Sequence, residues 1–273
     1  MSAETMATLF LASERAHERD AVLQQREQSV EGGWKAMPDW RFDRHVLRVA
    51  LYLRERIGMR QGDRLAIVAP IGVEPLTAEW AGFVLGLTVG AVDPRLGEDG
   101  VRTALHAFAP RAVLAVDARM AEATHGLVGV ERVILARGVV QRDSWVTYAD
   151  VLDLGGTLDT AERAHSLRAN ARTIDVHCDA MAWRRGTSGQ AEWATLSQGE
   201  AAASIRRIWA EIPSHAHAVR YFADAGPQLE TRLALHACVA DGLTRIAFGA
   251  PDVVDRTKPR ARPGWLTRVT SLF

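Results

Sequence analysis

The sequence predicts an α/β protein of layered, mainly parallel sheets covered by helices. Three observations carry this. Helix and strand signals alternate along the chain, the strand signals are short apolar runs of the kind buried on both faces, and glycine or proline stands at their ends. With 273 residues, 48% of them hydrophobic, the chain can bury a sizeable core.

Phe42, Val46, Val49, Ala50, Leu53 and Ile57 recur at helical spacing and the run stops at Gly58, a suitable C-terminal cap. After a turn at 60–63, Leu65 to Ala69 reads as a buried strand ended by Pro70. Residues 74–87 are helical, Ala91-Val92 is a brief strand closed by Asp93-Pro94, 101–108 a helix, and 112–116 and 133–135 strands. Residues 138–172 are polar and irregular and read as a connecting region with weak helices near 148–154 and 161–168. A strand, a glycine-bounded loop and a second strand follow, and Ser197 with Glu200 forms a capping box that opens a helix to about Ile212. Gln228 to Ala240 is a helix with Leu229, Leu233 and Val239 inward, and Thr244 to Phe248 the next strand. The expected organisation is a first α/β subdomain at 1–172, a partial second one at 173–250, and a basic-aromatic segment at 251–273.

Composition narrows the function. Lys plus Arg (33) equals Asp plus Glu (33), so no global field draws the chain to nucleic acid or an anionic membrane. Two cysteines, Cys178 and Cys238, exclude a disulfide framework, and no CxxC pair suggests a metal site. The first thirty residues lack the continuous apolar core of a signal peptide, and the longest apolar stretch, 80–92, is too short to span a bilayer. These features predict a cytoplasmic protein with no transmembrane segment.

The loop Gly186-Thr187-Ser188-Gly189 is the most informative stretch. Its glycines allow close backbone approach and its hydroxyls and amides can cradle a phosphate, although such a tetrapeptide also occurs in ordinary turns. The order of Gly58-Met-Arg-Gln-Gly-Asp-Arg-Leu-Ala-Ile67, a helix, Leu87-Thr-Val-Gly-Ala-Val-Asp-Pro94, a strand near Ala112 and this loop resembles the AMP-forming acyl- and aryl-CoA synthetases. The likeness runs from about Thr8 to Asp252, and the block at 58–67 is its most specific part. The family loop, roughly Y-T-S-G-T-T-G-x-P-K-G-V-x-L-S-H, aligns without a gap from Trp183 to Gln198. Gly186, Thr187 and Gly189 keep the family's identities, and Ser188 keeps a hydroxyl. Arg185 replaces the family's serine, Ala191 its proline, Glu192 its lysine, Trp193 its next glycine and Gln198 its histidine.

By the resemblance, Glu192 sets a negative charge where a lysine would stabilise polyphosphate. Arg184 and Arg185 are candidate cationic donors on the other flank of the loop. Tyr221 and Phe222 align with the wall of the family's acyl pocket, or serve as plain core. The family's Y-G-x-T-E and Y-x-T-G-D motifs and its C-terminal lysine are not met before Phe273, so no catalytic residue is assigned. The expectation is a non-catalytic relative acting as a partner-binding scaffold or regulator that holds ATP, AMP or an acyl ligand weakly. The alternatives are a carboxylate-activating ligase subunit completed by another chain and a purely structural assembly module. A sheet left open at Thr244 to Phe248 predicts a homodimer or an obligate complex through residues 218–273. His215 and His217 lack a ligand partner at metal spacing, His177-Cys178-Asp179 reads as a strand end, and the basic run Arg256 to Arg268 as a solvated tail.

Overall fold

The computed structural model describes residues 4–16, 23–26, 34–185, 192–211, 219–222, 228–241 and 245–248. In chain order these form α1 (Met6–Ala16), the strands β1 (Leu23–Arg26) and β2 (Trp34–Met37), α2 (Asp39–Tyr52), β3 (Arg64–Val68), α3 (Val73–Val84), β4 (Thr88–Val92) and α4 (Gly97–Phe108). Then come β5 (Ala112–Ala115), α5 (Ala118–Glu122), β6 (Arg132–Leu135), β7 (Trp145–Thr147), α6 (Tyr148–Leu158) and α7 (Ala161–Ala171). The last are β8 (Asp179–Arg185), β9 (Glu192–Ser197), α8 (Gln198–Glu211), β10 (Val219–Phe222), α9 (Leu229–Asp241) and β11 (Arg245–Phe248).

Seven strands form one sheet in the order β7-β6-β5-β3-β4-β8-β9, parallel except where β9 returns antiparallel to β8. Its central strands β4 and β5 are buried at every position because helices cover both faces. Side-chain alternation divides them between two cores: Leu65, Ile67 and Leu114 enter the larger one, with α1, α2, α3, α8 and α9, while Ala66, Val68, Val113 and Ala115 enter the smaller one, with α4 and α5. Gly90 lets that second layer come close, since a Cβ there would stand 2.7 Å from the Phe108 ring.

The block at 58–67 has a structural reason for its pattern. The helix begun by α2 widens into a π turn over Leu53–Ile57 and stops at Gly58, whose φ of 76° is left-handed. The Asp63 carboxylate accepts from Arg60 N–H at 2.8 Å and from Arg111 at 2.6 Å. Arg111 also pairs with Glu131 at 2.9 Å and donates to the carbonyls of Ile57 and Gly58. One guanidinium thus joins the end of the α2 helix to β5 and β6.

Two expectations change. In the region 138–172 the two expected helices are present as α6 and α7, but β7 extends the sheet before them, and a Thr147–Asp150 capping box starts α6, which packs on α2. The strand expected at an open edge, β11, is internal. It pairs in parallel with β10 on one side and with β1 on the other, and β2 completes the four-stranded sheet β10-β11-β1-β2. The strands that close it come from the N-terminal part, where no structure was expected. Both sheets take strands from either side of residue 172.

Replacing Arg111 by Met should cost about 2 kcal/mol, since Asp63 and two carbonyls lose a charged donor. A lowered urea midpoint with an unchanged slope is the expected result.

Candidate functional site

The β8–β9 hairpin runs in register from Asp179↔Ser197, through a bulge, to Arg185↔Glu192. On its other side β8 pairs with β4 only at Val89↔Met181 and Gly90↔Ala182, after which the two strands part. Arg232 of α9 fills this fork. Its guanidinium donates to Ala182 O at 2.9 Å and to Val89 O at 3.2 Å, and its Nε to the Glu79 carboxylate of α3 at 2.9 Å. His236, one turn along α9, hydrogen-bonds the other Glu79 oxygen and stands edge-on to Trp80 and Phe83, with ring centroids 5.0 and 5.2 Å away. All three polar residues are buried. Burial by itself would raise the Glu79 carboxyl, but Arg232 and His236 outweigh it and hold the group below the ordinary carboxylate range.

Beyond the fork, at the carboxyl ends of β4 and β8, lies a cleft of about 360 Å³ walled by Val92, Asp93, Trp183, Arg184, Leu229 and Glu230. Open α/β sheets bind ligands at this end, and the volume suits a small molecule. Arg184 Nε is buried there without a hydrogen-bond partner among the described residues. Asp93 caps the turn that follows β4 through Arg95 N–H at 2.9 Å. Burial opposes ionisation of its carboxyl, and the hydrogen bonds and charge of Arg95 overcome that and lower it.

Of the residues singled out by sequence, Arg184 lines this cleft. Arg185 and Glu192 are backbone partners in the last described rung of the hairpin, and Glu192 is exposed. Gly186, Thr187, Ser188 and Gly189 lie outside the described residues. So do His215, His217 and 251–273. Tyr221 and Phe222 belong to β10 by backbone, and their side chains are likewise outside what is described. Cys178 donates to Gly86 O at 3.3 Å, and burial pushes its thiol up, the wrong direction for a nucleophile. Among the described residues no group of three or more His, Cys, Asp or Glu is placed to hold a metal ion.

Two departures from the resembled loop are built into the packing. Trp193 donates from its indole to Ala104 O at 3.2 Å and lies 4.5 Å from the Phe108 ring, fixing β9 to α4. Gln198 is buried, accepts from Ala7 N–H at 3.4 Å and donates to Phe83 O at 3.3 Å, tying α1 to α3. The Glu79, Arg232 and His236 cluster went unread in the sequence. Its signal was an Arg and a His four apart on an otherwise apolar helix face, with Glu79 in the apolar middle of α3.

The model of the AMP-binding enzyme family matches residues 18–217. The chain belongs to that family. Among solved structures, the family member is similar to acetoacetyl-CoA synthetase from Streptomyces lividans (TM-score 0.70, 17% identity, 90% of this chain and 38% of that one). It is also similar to coronafacic acid ligase from Pectobacterium brasiliense (0.70, 10%, 90% and 45%) and to a Mycobacterium tuberculosis fatty acyl CoA synthetase (0.60, 16%, 92% and 45%). It spans less than half of each of these three. No curated protein matches the sequence. No helix among the described residues is long and apolar enough to cross a membrane.

Glu79→Gln leaves Arg232 buried without its counter-charge and should cost about 3 kcal/mol near neutral pH. Because the folded carboxyl is held below its unfolded value, its contribution is present above the unfolded pKa and fades as pH falls through the folded one. Urea midpoints should therefore fall less steeply with acid in Glu79→Gln than in the parent. Trp193→Gly should cost about 2 kcal/mol through the cavity left against Phe108, read as a lower denaturation midpoint.

Proposed function

We propose that this chain is a non-catalytic member of its family, a scaffold or regulator that holds a nucleotide or acyl ligand weakly in the cleft at the ends of β4 and β8. The observation that carries the reading is Glu192. It stands exposed on β9 at the family's lysine position, opposite Arg185, so an added carboxylate meets the polyphosphate where charge stabilisation is needed. Trp193 and Gln198 support it, since both are engaged in packing where the family has a glycine and a histidine. The similar structures are named for acyl-CoA synthesis or acid ligation. A carboxylate or acyl ligand beside Arg184 fits that background. The reading places the protein in the cytosol, with a partner chain or second copy met through residues 218–273, where β10 and not β11 is the edge strand of the described sheet.

Purified protein with ATP, magnesium and a series of carboxylic acids should release no pyrophosphate above background. Glu192→Lys alone should remain inactive, because groups that act together in such a site are not restored one at a time. ATP-dependent release that Gly186→Pro abolishes would overturn the proposal. In light scattering the isolated protein should exceed its 29.9 kDa monomer mass, and deletion of 259–273 should lower that mass.

A further inference from the structure

A second cleft, about 550 Å³, is away from the sheet ends, between the start of α2 and the helices α1 and α7. Its floor is apolar: Leu11, Leu47 and Ala164 are all buried. Its rim is cationic. Arg44, Arg168 and Arg172 face it against two carboxylates, Asp43 and Asp159, and Asp159 is also shared with Arg48 at 3.5 Å. Positive charge is therefore in excess around an apolar floor.

Trp40 adds a second, independent feature. A tryptophan is ordinarily well covered, yet this one lines the cleft and is 59% exposed, with the Arg41 guanidinium 5.5 Å from its ring. An indole presented to solvent beside arginines is a stacking surface for a planar anion. Arg44 is 55% exposed at its side chain, so it keeps access to such a ligand while its Nε holds Asp159 at 3.0 Å. The cleft lies within the size range of small-molecule sites.

From this we infer that the cleft between α1, α2 and α7 is a second ligand site, distinct from the sheet-end cleft, that takes a small aromatic anion with its ring on Trp40 and its charged group among Arg44 and Arg172. The anionic group is a carboxylate, sulfonate or phosphate, since the arginine fork suits each of these. Neutral aromatics lack the interaction with the rim, and inorganic anions lack the ring and the floor.

The test uses 8-anilinonaphthalene-1-sulfonate as probe, titrated by fluorescence and calorimetry against the whole folded chain. One saturable site is expected, weakened about tenfold by Trp40→Ala and by Arg172→Glu separately, each loss being equivalent to about 1.4 kcal/mol. Arg172→Lys should retain most of the affinity. Arg184→Glu, in the other cleft, should leave it unchanged, so failure here is separate from failure of the functional proposal. Unaltered circular dichroism and urea midpoints in the variants show that the fold is intact. Binding that is indifferent to Trp40→Ala and Arg172→Glu, or equal binding of the uncharged N-phenyl-1-naphthylamine, would overturn the inference.

Discussion

Arg232 occupies the place where β4 and β8 of the seven-stranded sheet stop pairing. Carbonyls freed where two strands diverge would otherwise be buried without donors, and a guanidinium is the side chain that can serve two of them and a carboxylate together. The rest of the architecture follows from that contact. It keeps β4 and β8 apart, which makes the cleft, and it ties α9 to α3 through Glu79, which seats the helix of the four-stranded sheet on the larger core. A buried ion pair gives little net stability compared with apolar packing. Here its use is geometric, as it sets where the strands part.

The hairpin departures show how a site can be converted into packing. A glycine leaves space beside it and a histidine offers a titratable ring; at these positions Trp193 fills its space against α4 and Gln198 is consumed by two backbone contacts. Neither residue is free to attend to a ligand. The stem of the loop is thereby joined to both cores, one through α4 and the other through α1 and α3.

The central α/β pattern was legible because the strands from β3 to β6 are short, mainly apolar runs and the helices α3 and α4 between them carry apolar residues at helical spacing; the five-residue α5 was not read. The capping box at Ser197 and Glu200 forms as its spacing indicates, with hydrogen bonds of 3.2 and 2.9 Å. The hairpin β1–β2 was not legible, since Leu23-Gln-Gln-Arg26 carries no apolar alternation and owes its conformation to the strand beside it. β7 was missed for a similar reason, being three residues long inside a polar stretch, although the Thr147–Asp150 box that follows it was there to be read. In the site, Arg184 was found through the loop's alignment. Glu79, Arg232 and His236 were not, because the spacing of Arg232 and His236 on α9 does not say that they meet Glu79 of α3 and the fork of β4 and β8.

The four-stranded sheet pairs Leu23 with Ile246, so its middle is made from residues far apart in the chain. Such a contact must wait until nearly all of the described chain has left the ribosome, long after β3 to β6 are able to pair with near neighbours. Until then the edge of β1 that meets β11, Leu23 included, has no strand beside it. Assembly is therefore ordered in time, with the larger sheet as the template and the smaller one as the closing step. That interval is when the nascent chain is open to chaperones and to pairing with the wrong strand.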